Sequence, residues 1–174
     1  VYDWSGNVYS TTFNSYTVRD QITYVKEYSG SANGTESCPS STCQQTEMAY
    51  DGHGRLQSRQ SPIESAATTY SYFADDTAQT ITDARGATTT YAYNNRKLVT
   101  GITYGTLSGV TTAPSVTFDY DEAGNRLSME DGLGEVDYTY DSLSRLQTET
   151  RTFSALSGTF QLSYTYNLAG QVKT

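Results

Sequence analysis

Between Val116 and Thr150 apolar and polar residues alternate in short runs broken by turn residues. Val116-Thr117-Phe118-Asp119-Tyr120 has the period of two and the β-branched and aromatic content of a strand. Residues 121–124 read as a turn, because Asp121 can accept a backbone N–H and Gly124 tolerates positive φ. Residues 125–130 return as a second strand, 131–134 as another turn of the same D-x-x-G form, and 135–140 as a third strand before a turn at 141–144. The 131–134 turn type recurs at 83–86, ahead of a strand over 87–93. The pattern predicts an all-β chain of short antiparallel hairpins, each strand of about six residues spanning roughly 20 Å.

The hairpins carry a repeating signature. A tyrosine, then Asp or Asn, then a tight turn, occurs clearly at Tyr50-Asp51-Gly52-His53-Gly54-Arg55-Leu56, from Tyr120 and Asp121 through Gly124 to Leu127, and from Tyr140 and Asp141 through Ser144 to Leu146. Weaker copies start at Tyr2-Asp3 with Gly6, at Tyr93-Asn94, and at Tyr166-Asn167 with Gly170; two degenerate ones start at Tyr16 and Tyr72. The eight lead tyrosines lie on average about 23 residues apart, the length of a hairpin and its return. Residues 1–174 are therefore expected to form a single array of about eight repeats. Loop insertions fall near 29–47 and 105–115, where extra length costs little.

Within each copy, the residue six places after the lead tyrosine is a second contribution to the core: Val8, Ile22, Leu56, Ala78, Val99, Leu146 and Val172. The Tyr120 copy has Arg126 in that slot and Leu127 one place late, which predicts a shifted register or a bulge there. The turn position four after the tyrosine holds Gly6, Asp20, Gly54, Asp76, Lys97, Gly124, Ser144 or Gly170. Lysine suits positive φ least, so a different turn is expected around Lys97. Aromatic pairs two apart, such as Tyr70/Tyr72 and Tyr138/Tyr140, lie on one strand face. Stacked repeats would set equivalent rings in rows, each buried ring contributing about 2–3 kcal/mol. A phenol can still reach water or a carbonyl, so a one-layer sheet can use Tyr where Phe would leave a greasy surface.

Composition sharpens this picture. Sixteen tyrosines in 174 residues, with few aliphatics, mean a core built from rings. The net charge of −8 excludes nucleic acid as a partner, and no apolar run approaches a membrane span. The chain opens at Val1 inside a repeat, with no signal peptide, and closes just after one, so it is expected to be a segment of something longer or the unit of an assembly. Cys38 and Cys43 sit in a Gly/Ser/Thr-rich stretch with four residues between them. A disulfide is the first expectation, with free thiols the alternative; a metal site would need further ligands, and His53 is the lone histidine. Asn33-Gly34-Thr35 fits a glycosylation sequon, a pattern too short to carry weight.

The Tyr-Asp-x-x-Gly-Arg-Leu motif with its flanking Tyr-x-Tyr strands resembles the YD repeat of bacterial Rhs proteins, toxin-complex cocoon subunits and teneurin shells. The resemblance covers nearly the whole chain outside the two insertions. It implies a secreted or surface-displayed scaffold whose repeats form a curved or spiralling extended sheet. In such shells the partners are further repeats of the same chain or neighbouring subunits and an encapsulated toxin domain. The Asp-Pro of an Rhs cleavage region is missing, and Pro39, Pro62 and Pro114 all sit in loop-like contexts. Eight repeats are also too few to close a shell, so this chain alone is neither a complete cocoon nor its protease.

No catalytic, cofactor or metal site emerges. His53 lies inside a turn and has no evident partner for nucleophilic chemistry. Asp119, Asp121, Gly124, Asn125 and Glu130 match part of a calcium-loop template, but Ala123 and Leu127 occupy ligand positions and no helices flank them. The repeat already accounts for Asp121 and Gly124. The function expected is a non-enzymatic extracellular scaffold, either a shell segment or a self-assembling surface filament. The alternative is a module that binds a cell-surface glycan or protein through its tyrosine rows and the loops at 29–47 and 105–115.

Overall fold

The computed structural model describes residues 10–30, 32, 38 and 42–173. The described residues form fifteen strands and no helix, and the order of the main sheet is the order of the chain. Two compact units divide between Ala87 and Thr88.

The first unit holds β1 (Ser10–Tyr16), β2 (Ile22–Ser29), β3 (Cys43–Tyr50), β4 (Leu56–Gln60), β5 (Thr68–Tyr72) and β6 (Ala78–Thr82). Each pairs antiparallel with the next. The second holds β7 (Thr88–Tyr93), β8 (Val99–Tyr104), β9 (Val116–Tyr120), β10 (Arg126–Asp131), β11 (Gly134–Tyr140), β12 (Leu146–Phe153) and β13 (Thr159–Ser163). These too are a meander of antiparallel neighbours. A separate ribbon pairs β14 (Thr165–Tyr166) with β15 (Val172–Lys173).

The repeat sets the strand ends. Tyr16, Tyr50, Tyr72, Tyr93, Tyr120, Tyr140 and Tyr166 each close a strand, and the residue six later opens the next. In six of these hairpins the tyrosine pairs with that sixth residue, while its predecessor pairs with the eighth. The seventh residue, for example Gln57, Thr100 or Gln147, is therefore the extra residue of a bulge, which raises the local twist. The Tyr120 copy follows the same rule: Arg126 pairs with Tyr120, and Leu127 is the bulged residue, 44% exposed. The expected departure at Arg126 is thus the register of every copy. Arginine fits the apolar slot because its guanidinium lies 4.7 Å from the centroid of the Phe118 ring while its stem covers apolar surface.

Two other expectations are corrected. The first insertion is shorter than 29–47, because Ser29 ends β2 and Cys43–Tyr50 is a strand. That strand is rich in Gln and Glu, yet β2 supplies a full ladder of partners from Tyr28↔Cys43 to Tyr24↔Glu47, and backbone pairing does not require apolar side chains. The turn at 131–134 differs from that at 121–124. Asp131 pairs directly with Gly134, leaving a two-residue loop of Gly132 and Leu133. The 83–86 turn belongs instead with the repeat turns described below.

The interior is thin. Only Tyr28, Cys43 and Val136 are buried among the described residues, and no described side chain is fully enclosed. Tyr28 sits opposite Cys43 with the Phe13 ring edge-on at 6.0 Å; Val136 lies between Met129 and Arg151 of the flanking strands.

Candidate functional site

The turns that follow the lead tyrosines share one construction. In residues 51–55 the N–H of Asp51 donates to the Arg55 carbonyl and the N–H of Gly54 to the Asp51 carbonyl, both at 2.9 Å. The same pair of bonds closes the turns at 17–21, 73–77, 94–98, 121–125, 141–145 and 167–171, and also 83–87. This is the three-residue hairpin loop, whose last loop residue must adopt positive φ. Gly54, Gly124 and Gly170 do so without cost, and Asp20, Asp76, Ser144 and Lys97 do so despite their side chains, at φ 58, 69, 57 and 62. Lys97 therefore makes the same turn as its counterparts, not a different one. Asn94 enforces it, since its Oδ1 accepts the N–H groups of Arg96 and Leu98.

Asp or Asn at the first turn position does the same work throughout. Asp51, Asp83, Asp141 and Asn167 each accept, through Oδ1, the N–H groups two and four residues on. The second carboxylate oxygen binds the side chain closing the turn, Arg55 on Asp51, Asn125 on Asp121 and Arg145 on Asp141. These bonds hold the carboxyls low. The Arg145 side chain does so for Asp141, Arg85 for Asp83, Asn125 for Asp121 and Arg151 for Asp131. At Asp51 partial burial pushes upward, but the Arg55 and His53 bonds outweigh it. The Asp121 carboxylate is thus engaged by its own turn, and the described residues contain no cluster of three or more metal-ligating side chains. His53 donates its backbone N–H to Asp51 as any residue there would.

Neighbouring turns are bonded to one another. Arg19 and Gln21 donate to the carbonyls of Gly52 and Gly54. Arg55 reaches the Phe73 carbonyl and the Asp76 carboxylate, the latter at 2.7 Å. Arg96 donates to the carbonyls of Asp121 and Glu122. An arginine, rather than another ring, lies over the next lead tyrosine in two copies: Arg55 is 4.6 Å from the Tyr72 ring centroid and Arg145 is 4.5 Å from that of Tyr166. The expectation of ring stacked on ring is replaced at these positions by cation on ring, because equivalent tyrosines stand two strands apart, roughly 10 Å, beyond ring contact.

The tyrosine hydroxyls complete the pattern. Tyr50, Tyr72, Tyr120, Tyr140 and Tyr166 donate to the backbone carbonyls of Ile22, Leu56, Val99, Arg126 and Leu146, at 2.7–2.9 Å. Every acceptor is the slot residue of the preceding copy. Each such tyrosine thus ties its own hairpin to the one before it. Burial raises the pKa of the Tyr72 and Tyr140 hydroxyls, keeping them as donors.

The RHS repeat family matches residues 120–156, the span that contains the turns at 121–125 and 141–145 and the Tyr140–Arg126 latch between them. No curated protein matches the chain significantly. Among solved structures, the TcdB2–TccC3–Cdc42 complex shares the fold at a TM-score of 0.62 and 14% identity, over 95% of this chain and 11% of that one. The Photorhabdus luminescens Tc holotoxin pore with a mutated TccC3 gives 0.57 and 15%, over 95% and 11%. TcdB2–TccC3 without its hypervariable C-terminal region gives 0.57 and 14%, over the same shares. This chain carries the RHS repeat at residues 120–156 and shares the fold of these solved structures over nearly its whole length. It spans about a ninth of the length of these solved chains.

For the YD repeat the geometry explains its letters. Tyrosine is the latch, aspartate or asparagine holds the turn, the glycine position takes positive φ, and arginine closes the turn and covers the next ring. Tyr93 and Asn94 occupy the same places in β7 and its turn. Tyr2, Asp3 and Gly6 lie outside the described residues, as does Asn33-Gly34-Thr35. Cys38 and Cys43 form a disulfide with Cα atoms 5.0 Å apart, closing the first insertion onto the start of β3. The side-chain pattern does not reveal which carbonyls accept the latch; the signal for the arginine's place over the next ring is the recurrence of arginine five residues after the lead tyrosine, at Arg55 and Arg145.

Proposed function

We propose that this YD/Rhs-repeat chain is a non-enzymatic wall segment of an extracellular shell, built to be continued by further repeats. The observation that carries this reading is the latch, in which a tyrosine hydroxyl in five of the copies is spent on the backbone of the preceding one. Such coupling joins nearest neighbours, so the array extends copy by copy without a central core. Both sheet faces suit water. The tyrosine face carries arginines over rings, and the opposite face carries hydroxyl pairs such as Ser71 with Thr80 and Thr139 with Thr148, each at 2.6 Å. A wall between a filled lumen and solvent needs such a sheet; an enzyme would need convergent reactive groups, and the turn carboxylates are engaged structurally.

Among the solved structures of this fold, one is a Tc holotoxin pore and another is described without a hypervariable C-terminal region. By analogy, the cargo is a toxic domain of the same polypeptide or a neighbouring subunit. The test is protease protection of the full-length gene product that contains this segment. A domain enclosed by the repeats should survive protease until denaturant opens the wall, and Tyr120→Phe with Tyr140→Phe should lower the denaturant required. Cleavage of every flanking domain at native conditions, together with retention on a glycan array, would instead select the adhesion reading.

A further inference from the structure

On the face opposite the lead tyrosines, the residue before each tyrosine faces the residue eight after it. In two hairpins these are hydroxyl pairs, Ser71 with Thr80 and Thr139 with Thr148. In the hairpin of Tyr50 the same two places hold Ala49 and Ser58. Alanine offers no partner, and the Ser58 hydroxyl makes no hydrogen bond among the described residues. The first unit carries a groove of about 330 Å³ at this point, lined among others by Thr23, Tyr24, Glu47, Ala49, Ser58 and Gln60. Side-chain size explains the depression. Tyr24, Glu47 and Gln60 stand in one row across β2, β3 and β4, beside a row with only a methyl and a hydroxymethyl group at Ala49 and Ser58. Lys26 lies over the Tyr24 ring at 5.0 Å and, by register, further from the turn, so the ring's other face is turned toward the groove.

The polar groups here are held in place yet not fully used. Gln45 donates to Oε1 of Glu47 at 2.5 Å, and the Gln60 amide donates to the Glu64 carbonyl at 3.2 Å. Oε2 of Glu47 and Oε1 of Gln60 keep acceptor capacity. The hydroxyls of Thr23 and Tyr24, like that of Ser58, make no hydrogen bond among the described residues. Two acceptors, three hydroxyls and one ring thus converge on a space at the small end of ligand cavities. This is the complement of a sugar: its hydroxyls donate to the carboxylate, its oxygens accept from the hydroxyls, and its C–H face packs on the ring. Glu47 repels an anionic ligand. A peptide strand finds no open backbone here, because β2, β3 and β4 are each paired on both sides. We infer that this groove binds a neutral saccharide, with Glu47 and Gln60 accepting from its hydroxyls and Tyr24 against its C–H face. Such binding is independent of whether the repeats enclose a cargo, and protease protection tests only the latter.

Titration of the whole chain with the methyl glycosides of glucose, galactose, mannose and N-acetylglucosamine, followed by amide chemical shifts, tests this. At least one glycoside should shift the amides of residues 23–24, 47–49 and 58–60 saturably. Ala49→Thr should weaken that binding by about tenfold or more, because threonine fills the depression and gives Ser58 the hydroxyl partner that Thr148 finds in Thr139. The added β-branch suits a strand, so the sheet should persist, as circular dichroism would verify. Glu47→Gln should weaken binding by about tenfold as well, since a charge-assisted acceptor is lost. Tyr138→Phe, in the other unit, should leave it unchanged. Absence of saturable shifts at these amides with all four glycosides overturns the inference. So does undiminished binding by folded Ala49→Thr, or a groove that takes a sugar phosphate or a Gly-Ser peptide in place of the neutral glycosides.

Discussion

The hydroxyl of Tyr140, at the end of β11, donates at 2.9 Å to the backbone carbonyl of Arg126, at the start of the neighbouring strand β10. Tyr138, two residues earlier on the same face of β11, makes no such bond to the described residues. The contrast isolates what a hydroxyl adds to a ring. Tyr140→Phe should destabilise the chain by about 1 kcal/mol, or about 2–4 °C in Tm for this length, while Tyr138→Phe should stay within about 0.5 kcal/mol. Thermal unfolding followed by far-ultraviolet circular dichroism distinguishes the two.

The turn carboxylates make stability depend on acid. Asp83, Asp121, Asp131 and Asp141 are held below the ordinary value of 3.8 by their hydrogen-bonded partners, and Asp51 is lowered as well. A depressed carboxyl binds its proton less readily folded than unfolded, so its contribution is whole above about pH 4 and is lost as pH falls through the folded-state value. Midpoints measured between pH 7 and pH 2 should fall steeply only below that point. Asp141→Asn should flatten part of the fall, because Asn94 and Asn167 hold the same N–H groups without a charge. At the alkaline end the raised Tyr72 and Tyr140 hydroxyls stabilise the fold up to about pH 10, and that contribution disappears as they ionise.

Glycine is required at one turn and would be an improvement at another. A Cβ on Gly134, at φ 135, would sit 2.1 Å from the Thr152 carbonyl oxygen, so Gly134→Ala should cost more than about 2 kcal/mol. Lys97 at φ 62 bears the strain of a side chain in the left-handed region, so Lys97→Gly should stabilise by about 0.5–1 kcal/mol. Urea midpoints of the two variants should move in opposite directions.

Strand order, hairpin ends and the turn motif were legible because each is encoded in side chains: a tyrosine closes the strand, Asp or Asn builds the turn, and alternation marks the faces. The latch was hidden because its acceptor is a carbonyl, which every residue possesses. That also explains why Arg126 can stand where Ile22, Leu56 and Leu146 stand, since the slot supplies backbone as well as apolar surface. Lys97 misled because propensity disfavours it, while closure of the hairpin and the Asn94 bonds decide its φ. The start of β3 was concealed by its polar composition, although its pairing with β2 is complete.

The central claim is that each latching lead-tyrosine hydroxyl couples its own hairpin to the copy before it, and native-state hydrogen exchange on Tyr140→Phe tests it most directly. The account predicts that amide protection falls both in the hairpin of Tyr140, residues 134–153, and in the preceding turn and strand around Arg126. Loss confined to the Tyr140 hairpin, with residues 121–131 exchanging as in the unaltered chain, would contradict it.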